Sequence, residues 1–341
     1  MSLPTLTVAL VGNPNTGKST LFNALTGLRQ HVGNYPGVTV EKKIGTWRDG
    51  DDEFQVIDLP GTYSLAPRSP DEMVSVDVLL GRQADVPKLD VIVAIADASN
   101  LERNLYLFTQ LRQLNIPIVL VLNMWDRVTA GEIHVDLAKL SERLGVRIVC
   151  ATASRSQGVK EIKAAVREVA GMATRDKTSS AGRHSSVFPE VFQEETKTLQ
   201  SWLSARGQPE MQEFLVERLL LDVNGAHALK LSKQSELSEL HAMIAAARER
   251  LAAAGQRVPA VETRCRYNWI RSQLAGIVER PDEDIQTLSD RIDHVLTHRV
   301  WGLMIFAAIM FLIFQSISTG AAAMMDAIET LQGGIVGWVH D

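Results

Sequence analysis

The chain has 341 residues, with 35 Lys and Arg against 40 Asp and Glu, and a net charge of −5. This length is enough for about two domains. The basic residues are scattered rather than striped, so no nucleic acid is expected as a partner. The two cysteines, Cys150 and Cys265, form no C-x-x-C pair, which indicates a reducing compartment and argues against a zinc site.

The first predicted strand, Leu6–Val11, runs directly into a glycine-rich loop. Residues 12–19, the phosphate loop, match G-x-x-x-x-G-K-[ST], whose backbone N–H groups surround phosphates at the start of a helix. Lys18 is expected to neutralise charge on the β- and γ-phosphates, and the Ser19 hydroxyl to bind Mg²⁺. The residues predicted to contact the nucleotide are Gly12, Asn13, Pro14, Asn15, Thr16, Gly17, Lys18, Ser19 and Thr20.

A second motif, Asp-Leu-Pro-Gly at residues 58–61, ends the predicted strand Phe54–Asp58. In P-loop NTPases an aspartate at this place holds Mg²⁺, and the N–H of the glycine, here Gly61, contacts the γ-phosphate. A loop aspartate that caps a helix is the alternative, but the apolar strand before Asp58 favours the first reading. Ser69 then opens a capping box with Pro70 at the first helical position, which predicts that a helix begins there.

A third motif, Asn-Met-Trp-Asp at residues 123–126 (the base loop), follows the predicted strands Val91–Ala96 and Ile116–Asn123. The Asp126 carboxylate can accept two hydrogen bonds from guanine, at N1–H and the 2-amino group. Adenine lacks this pair of donors, so Asp126 is predicted to select GTP over ATP. Asn123 is predicted to tie the base loop to the phosphate loop, and Met124 to cover the purine face.

The last predicted strand of the first half is Arg147–Thr152. The pair Thr152 and Ala153 resembles the Ser-Ala pair whose backbone N–H meets guanine O6 in other nucleotide sites. From about residue 5 to residue 172, apolar strands alternate with helical patterns, which predicts an α/β P-loop NTPase fold with a mostly parallel sheet. Residues 1–172 are therefore predicted to form a Ras-like G domain with a guanine-nucleotide site.

The second half of the chain has a different pattern. Residues 173–188 are rich in Ser, Thr, Lys and Arg without an apolar period, which predicts a linker. Residues 189–284 read as helical, with no strand-like alternation, and predict an all-α domain. The apolar residues that indicate two of its helices are Phe214, Leu215, Leu219 and Leu221, then Leu237, Leu240, Ile244 and Leu251.

Membrane character is confined to the far end. Val300–Ser318 carries no charge and is about long enough to cross a bilayer, so a transmembrane helix is predicted there. A buried core helix is the alternative. Residues 285–299 are predicted to form a membrane-proximal amphipathic segment, and residues 319–341 the start of a membrane region. The chain therefore looks like the front portion of a larger membrane protein.

These motifs together resemble the FeoB family, bacterial ferrous iron transporters. The helical block is similar to that family's spacer, which is described as guanine-nucleotide-dissociation-inhibitor-like. The segments that carry the resemblance are Gly12–Ser19, Asn34–Glu41, Asp58–Leu65, Ser69–Met73, Asn123–Asp126, Ser289–His298 and Gly302–Phe306. The resemblance implies the GTP- and GDP-binding, slowly GTP-hydrolysing part of a ferrous iron uptake transporter.

The resemblance also implies a location and partners. It places the protein in the cell inner membrane, with residues 1–299 cytoplasmic. It also implies that Fe²⁺ is transported by a membrane domain that lies beyond this sequence. A small cytosolic accessory protein and a second copy of the chain, in a homo-oligomer, are candidate partners. None of the eight histidines shows a spacing typical of metal ligands, so iron specificity rests on the resemblance alone.

Residue roles follow where the motifs match. Thr39 is implied to be the switch threonine that closes onto Mg²⁺, with a β-branched residue on an edge strand as the alternative. Asn15 is implied to help bind K⁺ beside the phosphates, with a turn-forming asparagine as the alternative. Thr62 stands where Ras-like enzymes place a water-orienting glutamine and is too short for that role. Catalysis is therefore assigned to Lys18, Thr39 and Gly61, with turnover well below roughly 10 s⁻¹.

Two other classes of protein remain in consideration. The first is a soluble regulatory GTPase of the assembly or RNA-modification type, in which Val300–Ser318 is a core or dimerisation helix. The second is a membrane-anchored scaffold that binds GTP without useful hydrolysis. In the favoured class, loss of the γ-phosphate would let the loop at Gly61 and the helix after Ser69 relax. The helical block would then transmit this change towards the membrane.

Overall fold

The structure is a computed structural model, in which the chain divides into two compact units, Met1–Arg280 and Pro281–Asp341. The residues that the structure describes are 5–27, 30–36, 38–49, 52–67, 69–131, 133–175, 186–206, 211–223, 237–279, 292–293 and 295–317.

A seven-stranded sheet forms the centre of the first unit. The strands among the described residues are β1 Thr5–Gly12, β2 Gln30–Asn34, β3 Glu41–Asp49, β4 Asp52–Asp58, β5 Val91–Asp97, β6 Ile118–Asn123, β7 His134–Val135, β8 Arg147–Cys150 and β9 Val278–Glu279. The order in the sheet is β2-β3-β4-β1-β5-β6-β8. The pairs from β4 to β8 are parallel, whereas β2–β3 and β3–β4 are antiparallel. The predicted α/β fold with a mostly parallel sheet is confirmed.

The antiparallel pair β2 and β3 was absent from the sequence prediction. Strands β5 and β6 are buried on both faces and therefore form the continuous apolar runs that are easy to recognise. In β3, charged residues such as Lys42 and Lys43 interrupt any apolar run. Its anchor is Trp47, which pairs with Phe54 across the β3–β4 ladder and stacks on its ring at 4.9 Å between centroids.

Helices cover both faces of the sheet. The α-helices that the structure describes in the first unit are α1 Lys18–Thr26, α2 Pro70–Leu79, α3 Leu101–Leu111, α4 Trp125–Ala130, α5 Leu137–Leu144, α6 Val159–Arg175, α7 Glu190–Ser204, α8 Glu213–Leu221, α9 Leu237–Ala253 and α10 Ala260–Leu274. Buried side chains of α1 and α6 pack on one face, and those of α2, α3 and α5 pack on the other. The predicted start of α2 is confirmed, since Ser69 caps it by accepting from the N–H of Glu72 (3.2 Å) and Pro70 is its first residue.

Helices α7–α10, the helical segment, have a core of their own. The buried residues of this core are Phe188, Phe192, Leu199, Leu203, Val216, Leu219, Leu220, Leu221, Leu240, Ile244, Ala247, Leu251 and Val261. The two helices indicated by the leucine pattern are α8 and α9, as predicted. The expectation of no strand in this part was wrong, because Val278–Glu279 forms β9 and pairs antiparallel with His134–Val135. Two residues are too few to produce an alternating pattern in the sequence.

A buried polar network joins α3 to α8 and α10. Arg266 is fully buried and donates to Thr109 Oγ1 (3.0 Å), Gln113 Oε1 (2.8 Å) and Glu262 Oε1 (2.9 Å). Arg218 pairs with the same Glu262 oxygen. Burial disfavours the charged form of Glu262, but the two guanidinium groups outweigh this penalty and hold the pKa of its carboxyl at about 2. The helical segment is therefore attached to α3 through ionised, hydrogen-bonded groups.

Glu217 lies beside this network and behaves differently. It is buried on α8 and accepts a hydrogen bond from Gln113 Nε2 (2.7 Å). Burial raises the pKa of Glu217 from 4.5 to about 7, against the opposing effect of the Arg266 guanidinium. Between these two pH values the native state keeps a proton that the unfolded chain has lost. The free energy of unfolding should therefore fall as the pH rises through this window.

We expect Glu217→Gln to remove this loss of stability, because the amide oxygen can still accept from Gln113 and carries no charge. The variant should match the parent near pH 4.5 and exceed its free energy of unfolding by about 3 kcal/mol above pH 7. Urea denaturation of both proteins at the two pH values measures the difference. Glu194→Gln, at an exposed position on α7, is the control and should leave the free energy of unfolding unchanged at both pH values. If the two proteins differed in stability by the same amount at both pH values, the raised pKa of Glu217 would be contradicted.

The second unit contains the segment predicted to span a membrane. Residues 301–317 form a helix with exposed apolar side chains, including Trp301, Phe306 and Phe314. Across the ranges that the structure describes, no helix is both long enough and apolar enough to cross a bilayer. Several parts of the predictions lie outside the described residues. They are most of the predicted linker (176–185), residues 285–291 and 294 of the predicted amphipathic segment, Ser318 and residues 319–341.

Candidate functional site

The phosphate loop connects the buried strand β1 to helix α1. Gly17 has a left-handed backbone (φ 80°), and a Cβ atom there would lie 2.3 Å from Asn123 Nδ2, so only glycine fits. Gly12 is equally restricted, since a Cβ would lie 2.7 Å from the carbonyl oxygen of Ile95. Asn15, at the tip of the loop, is exposed and also left-handed (φ 64°). The loop therefore ends at the N-terminus of α1, where unpaired N–H groups favour anions.

The charged side chains of the site meet at Asp58, the last residue of β4. The Lys18 ammonium pairs with Asp58 Oδ1, and Ser19 Oγ donates to Asp58 Oδ2 (3.3 Å). Thr39 and Gly61 line the same cavity of about 340 Å³ as these three residues. The structure thus brings together the predicted magnesium ligands Ser19, Thr39 and Asp58 and the predicted catalytic residues Lys18, Thr39 and Gly61.

Residues 58–65, the Asp58 loop, lie directly on the phosphate loop. The N–H of Leu59 donates to Leu10 O and that of Thr62 to Gly12 O, both at 3.2 Å. A Cβ on Gly61 would lie 3.2 Å from Pro14, a contact tighter than side chains normally make. The glycine therefore permits a close approach of the loop backbone to the phosphate loop.

Thr62 faces away from this cavity. Its side chain has no exposed surface, and its hydroxyl donates to the carbonyl oxygen of Ser64 (2.7 Å). A hydroxyl that is buried and already engaged in its own loop cannot orient a water molecule at the phosphates. Water positioning in any reaction at this site has to come from other groups.

Asn123 joins the phosphate loop and the loop after β8. Its Nδ2 donates to Thr16 O (2.8 Å), and its Oδ1 accepts from the N–H of Ala153 (3.0 Å). The N–H of Trp125 donates to Ala151 O (3.1 Å) and holds the base loop to the same turn. The link between base loop and phosphate loop that the sequence predicts is therefore present. Because the Ala153 N–H is used within the protein, its contact with guanine O6 stays a prediction.

Among the remaining base-loop residues, Asp126 has a partly exposed carboxylate. Met124 is left-handed (φ 57°) and half-buried, and it precedes α4. Asp126, in the first turn of α4, is half-buried, and no hydrogen-bond donor or cation reaches its carboxylate among the described residues. Arg127 instead lies 3.7 Å from Asp97. Thr152 is buried, and Thr20 is exposed on α1. Their contacts with a nucleotide stay predictions.

Tyr35, next to the predicted switch threonine, was missed by the sequence reading. Its ring is buried, and its N–H donates to Val40 O (3.0 Å), which closes the segment that carries Thr39. Burial raises the pKa of the Tyr35 phenol well above its usual range, and the carboxylates of Asp85 and Asp58 add to the rise. The signal in the sequence was an aromatic residue four positions before Thr39, in the segment Asn34–Glu41.

The phosphate loop after β1, the Asp58 loop after β4 and the base loop after β6 meet at the carboxyl edge of one parallel sheet. This arrangement defines a P-loop domain of the G-protein class. Comparisons with known proteins lead to a narrower identification. The family model of ferrous iron transport protein B matches residues 6–166 of the chain.

Relatives extend the similarity over nearly the whole chain. This chain is 36% identical to the Fe(2+) transporter FeoB of Staphylococcus aureus (strain COL), over 95% of its own length and 47% of that protein. It is 32% identical to a Fe(2+) transport protein A/FeoB fusion protein of Porphyromonas gingivalis over 97% of this chain and 38% of that protein. The chain therefore spans less than half the length of these relatives.

Solved structures agree. An S. thermophilus NFeoB variant bound to GDP has a TM-score of 0.66 and 31% identity, with 80% of this chain and 100% of that chain covered. The cytosolic domain of L. pneumophila FeoB has a TM-score of 0.64 and 28% identity, with the same coverage. The chain belongs to the FeoB family of ferrous iron transport proteins.

Proposed function

We propose that this chain binds GTP and GDP and hydrolyses GTP slowly, as the cytosolic part of a ferrous iron uptake transporter. The observation that carries the proposal is the position of Asn123, which is bonded to Thr16 on one side and to Ala153 on the other. This bridge supports the proposal because it ties the base loop, which carries Asp126, to the phosphate loop, which carries Lys18. A phosphate site and a guanine-selective carboxylate on one rigid edge suit a guanine nucleotide.

The residues around Asp58 fit a magnesium ion. Mg²⁺ takes oxygen ligands and keeps several waters, and Ser19, Thr39 and Asp58 offer two hydroxyls and a carboxylate on one cavity. When bound, the ion would neutralise charge on the phosphates. Lys18 would release Asp58 and turn to the phosphate oxygens, while the Gly61 N–H would contact the γ-phosphate.

Potassium is proposed as the activator, because Thr62 cannot orient water. Asn15 is exposed at the tip of the phosphate loop, and Asn13 Oδ1 is buried without a donor among the described residues. The loop thus offers amide oxygens, which suit an alkali cation. The ion would supply positive charge that an arginine finger supplies in other GTPases.

The transport role is proposed from family membership. The iron ligands are assigned to the part of the relatives that this chain does not cover. We place the protein in the inner membrane, with residues 1–299 cytoplasmic and Val300–Ser318 as the first span. A small cytosolic accessory protein and further copies of the chain are the proposed partners. Residues 173–188 and 189–284 keep their proposed roles as linker and helical domain.

GTP hydrolysis by the whole chain in Mg²⁺, with K⁺ replaced by Na⁺ in parallel, tests the proposal. We expect measurable turnover well below roughly 10 s⁻¹, faster in K⁺, with the stimulation lost in Asn15→Ala. The matched control is Asn115→Ala, since Asn115 is also exposed and left-handed (φ 55°) but precedes β6 at the opposite edge of the sheet. Equal rates in both salts would show that K⁺ does not activate hydrolysis. The absence of any hydrolysis would refute the proposed GTPase activity.

A further inference from the structure

The Asp58 loop has a second attachment, remote from the phosphate loop. The buried N–H of Leu65, the last residue of the loop, donates to Gln110 Oε1 (2.7 Å). Gln110 is fully buried on α3. The start of the loop is held to Leu10 of β1 through Leu59 and to Gly12 of the phosphate loop through Thr62. Gly61 therefore lies on a short stretch of backbone that is fixed at both ends.

The other end of the Gln110 side chain reaches the helical segment. Its Nε2 donates to Glu262 Oε1 (2.8 Å) on α10. A backbone N–H can only donate and an ionised carboxylate can only accept, so a single orientation of the amide satisfies both Leu65 and Glu262. The flipped amide would set two donors against each other at Leu65 and two acceptors at Glu262. The charge on Glu262 thus fixes which way Gln110 points.

That charge is permanent at physiological pH. Arg218 and Arg266 both pair with the Glu262 oxygen that accepts from Gln110. The pKa of Glu262 at about 2 keeps the carboxylate ionised far below neutrality. The orientation of Gln110 is therefore set by the packing of α8 and α10 on α3 rather than by pH.

We propose that Gln110 is a positioning residue for GTP hydrolysis, which holds the backbone that carries Gly61 against the helical segment in an orientation imposed by Glu262. This inference rests on the proposed function, since it needs GTP to be hydrolysed at this site. A shift of α10 relative to α3 reaches Leu65 through two hydrogen bonds, and Leu65 shares the short Asp58 loop with Gly61. By reciprocity, a contact between Gly61 and the γ-phosphate changes the energy of the Gln110–Glu262 pair.

The first experiment compares Gln110→Leu with Gln113→Leu in the full chain. Gln113, one turn further along, also makes two hydrogen bonds to the helical segment, with Arg266 (2.8 Å) and Glu217 (2.7 Å), but its described bonds do not involve the Asp58 loop. In Gln110→Leu we expect the Leu65 amide to exchange its hydrogen about tenfold faster or more. GTP turnover at saturation should fall about tenfold with KM unchanged, because Gly61 is misplaced while the nucleotide contacts remain. Gln113→Leu should change neither quantity.

A double-mutant cycle tests the role of Glu262. Within the described hydrogen bonds, Glu262 reaches Leu65 through Gln110, so Glu262→Gln should accelerate exchange at Leu65 in the parent but not in the Gln110→Leu background. Equal effects of Gln110→Leu and Gln113→Leu, or additive effects of Gln110→Leu and Glu262→Gln, would overturn the inference. The exchange measurement needs no nucleotide, so it can fail in a chain that hydrolyses GTP normally. A parent chain without hydrolysis would overturn the proposed function instead.

Discussion

Lys18→Ala is expected to lower the affinity of the chain for GDP by a factor on the order of 100, since a hydrogen bond to a charged group contributes about 3 kcal/mol. The loss has two parts. The ammonium no longer binds phosphate oxygens, and Asp58, whose side chain is only 5% exposed, keeps its negative charge without its cation. That charge then repels the phosphates within the same cavity. Titration with a fluorescent GDP analogue measures the affinity, and GTP turnover should be lost as well.

The control for Lys18 is Lys43→Ala. Lys43 lines the same cavity and carries the same charge, but it is partly exposed and pairs with Glu41 (3.0 Å) rather than with Asp58. Its removal should leave GDP affinity unchanged, because an exposed ion pair contributes little. If both variants lost affinity equally, the net charge of the cavity would matter and the position of Lys18 would not. Melting curves of both variants show whether the fold is preserved.

The parts of the site that the sequence could predict are those set by local chemistry. A loop that wraps phosphates needs backbone conformations such as that of Gly17, and the cap at Ser69 needs a hydroxyl at one position. Strands β1, β4, β5, β6 and β8 have apolar runs because both faces of the sheet are covered. The bond from Asn123 to Thr16 follows from loop order in a parallel sheet.

The parts that the sequence could not predict depend on partners far along the chain. Glu262 and Arg266, one turn apart on α10, read as an ordinary surface ion pair, yet both are buried. Their burial follows from packing on α3, and the bond from Gln110 to Glu262 joins residues 152 positions apart. Strand β3 is similar, since only its pairing with β4 distinguishes it from a charged loop. Periodicity within a segment carries no information about such partners.

Asp126→Asn is expected to change the base that the site prefers. Guanine presents two N–H donors to the carboxylate, and an amide can accept only one of them and must set its own N–H₂ against the other. Loss of one charged hydrogen bond and the clash of donors together amount to about 3 kcal/mol, a factor on the order of 100 in GDP affinity. Xanthine has a carbonyl oxygen at position 2, which accepts from the new amide, so affinity for xanthosine diphosphate should rise.

Competition between guanosine diphosphate and xanthosine diphosphate for the site measures this change in base preference. The matched control is Asp97→Asn. Asp97 ends the neighbouring strand β5 in register with Asn123, so it lies at the same edge of the sheet. It caps the turn after β5 by accepting from the N–H of Ser99 (2.9 Å), and asparagine caps equally well. The control should therefore keep its preference for guanine. Unchanged guanine affinity in Asp126→Asn would mean that the accessible carboxylate of Asp126 does not read the base, and guanine selection would then have to come from backbone groups near Ala153.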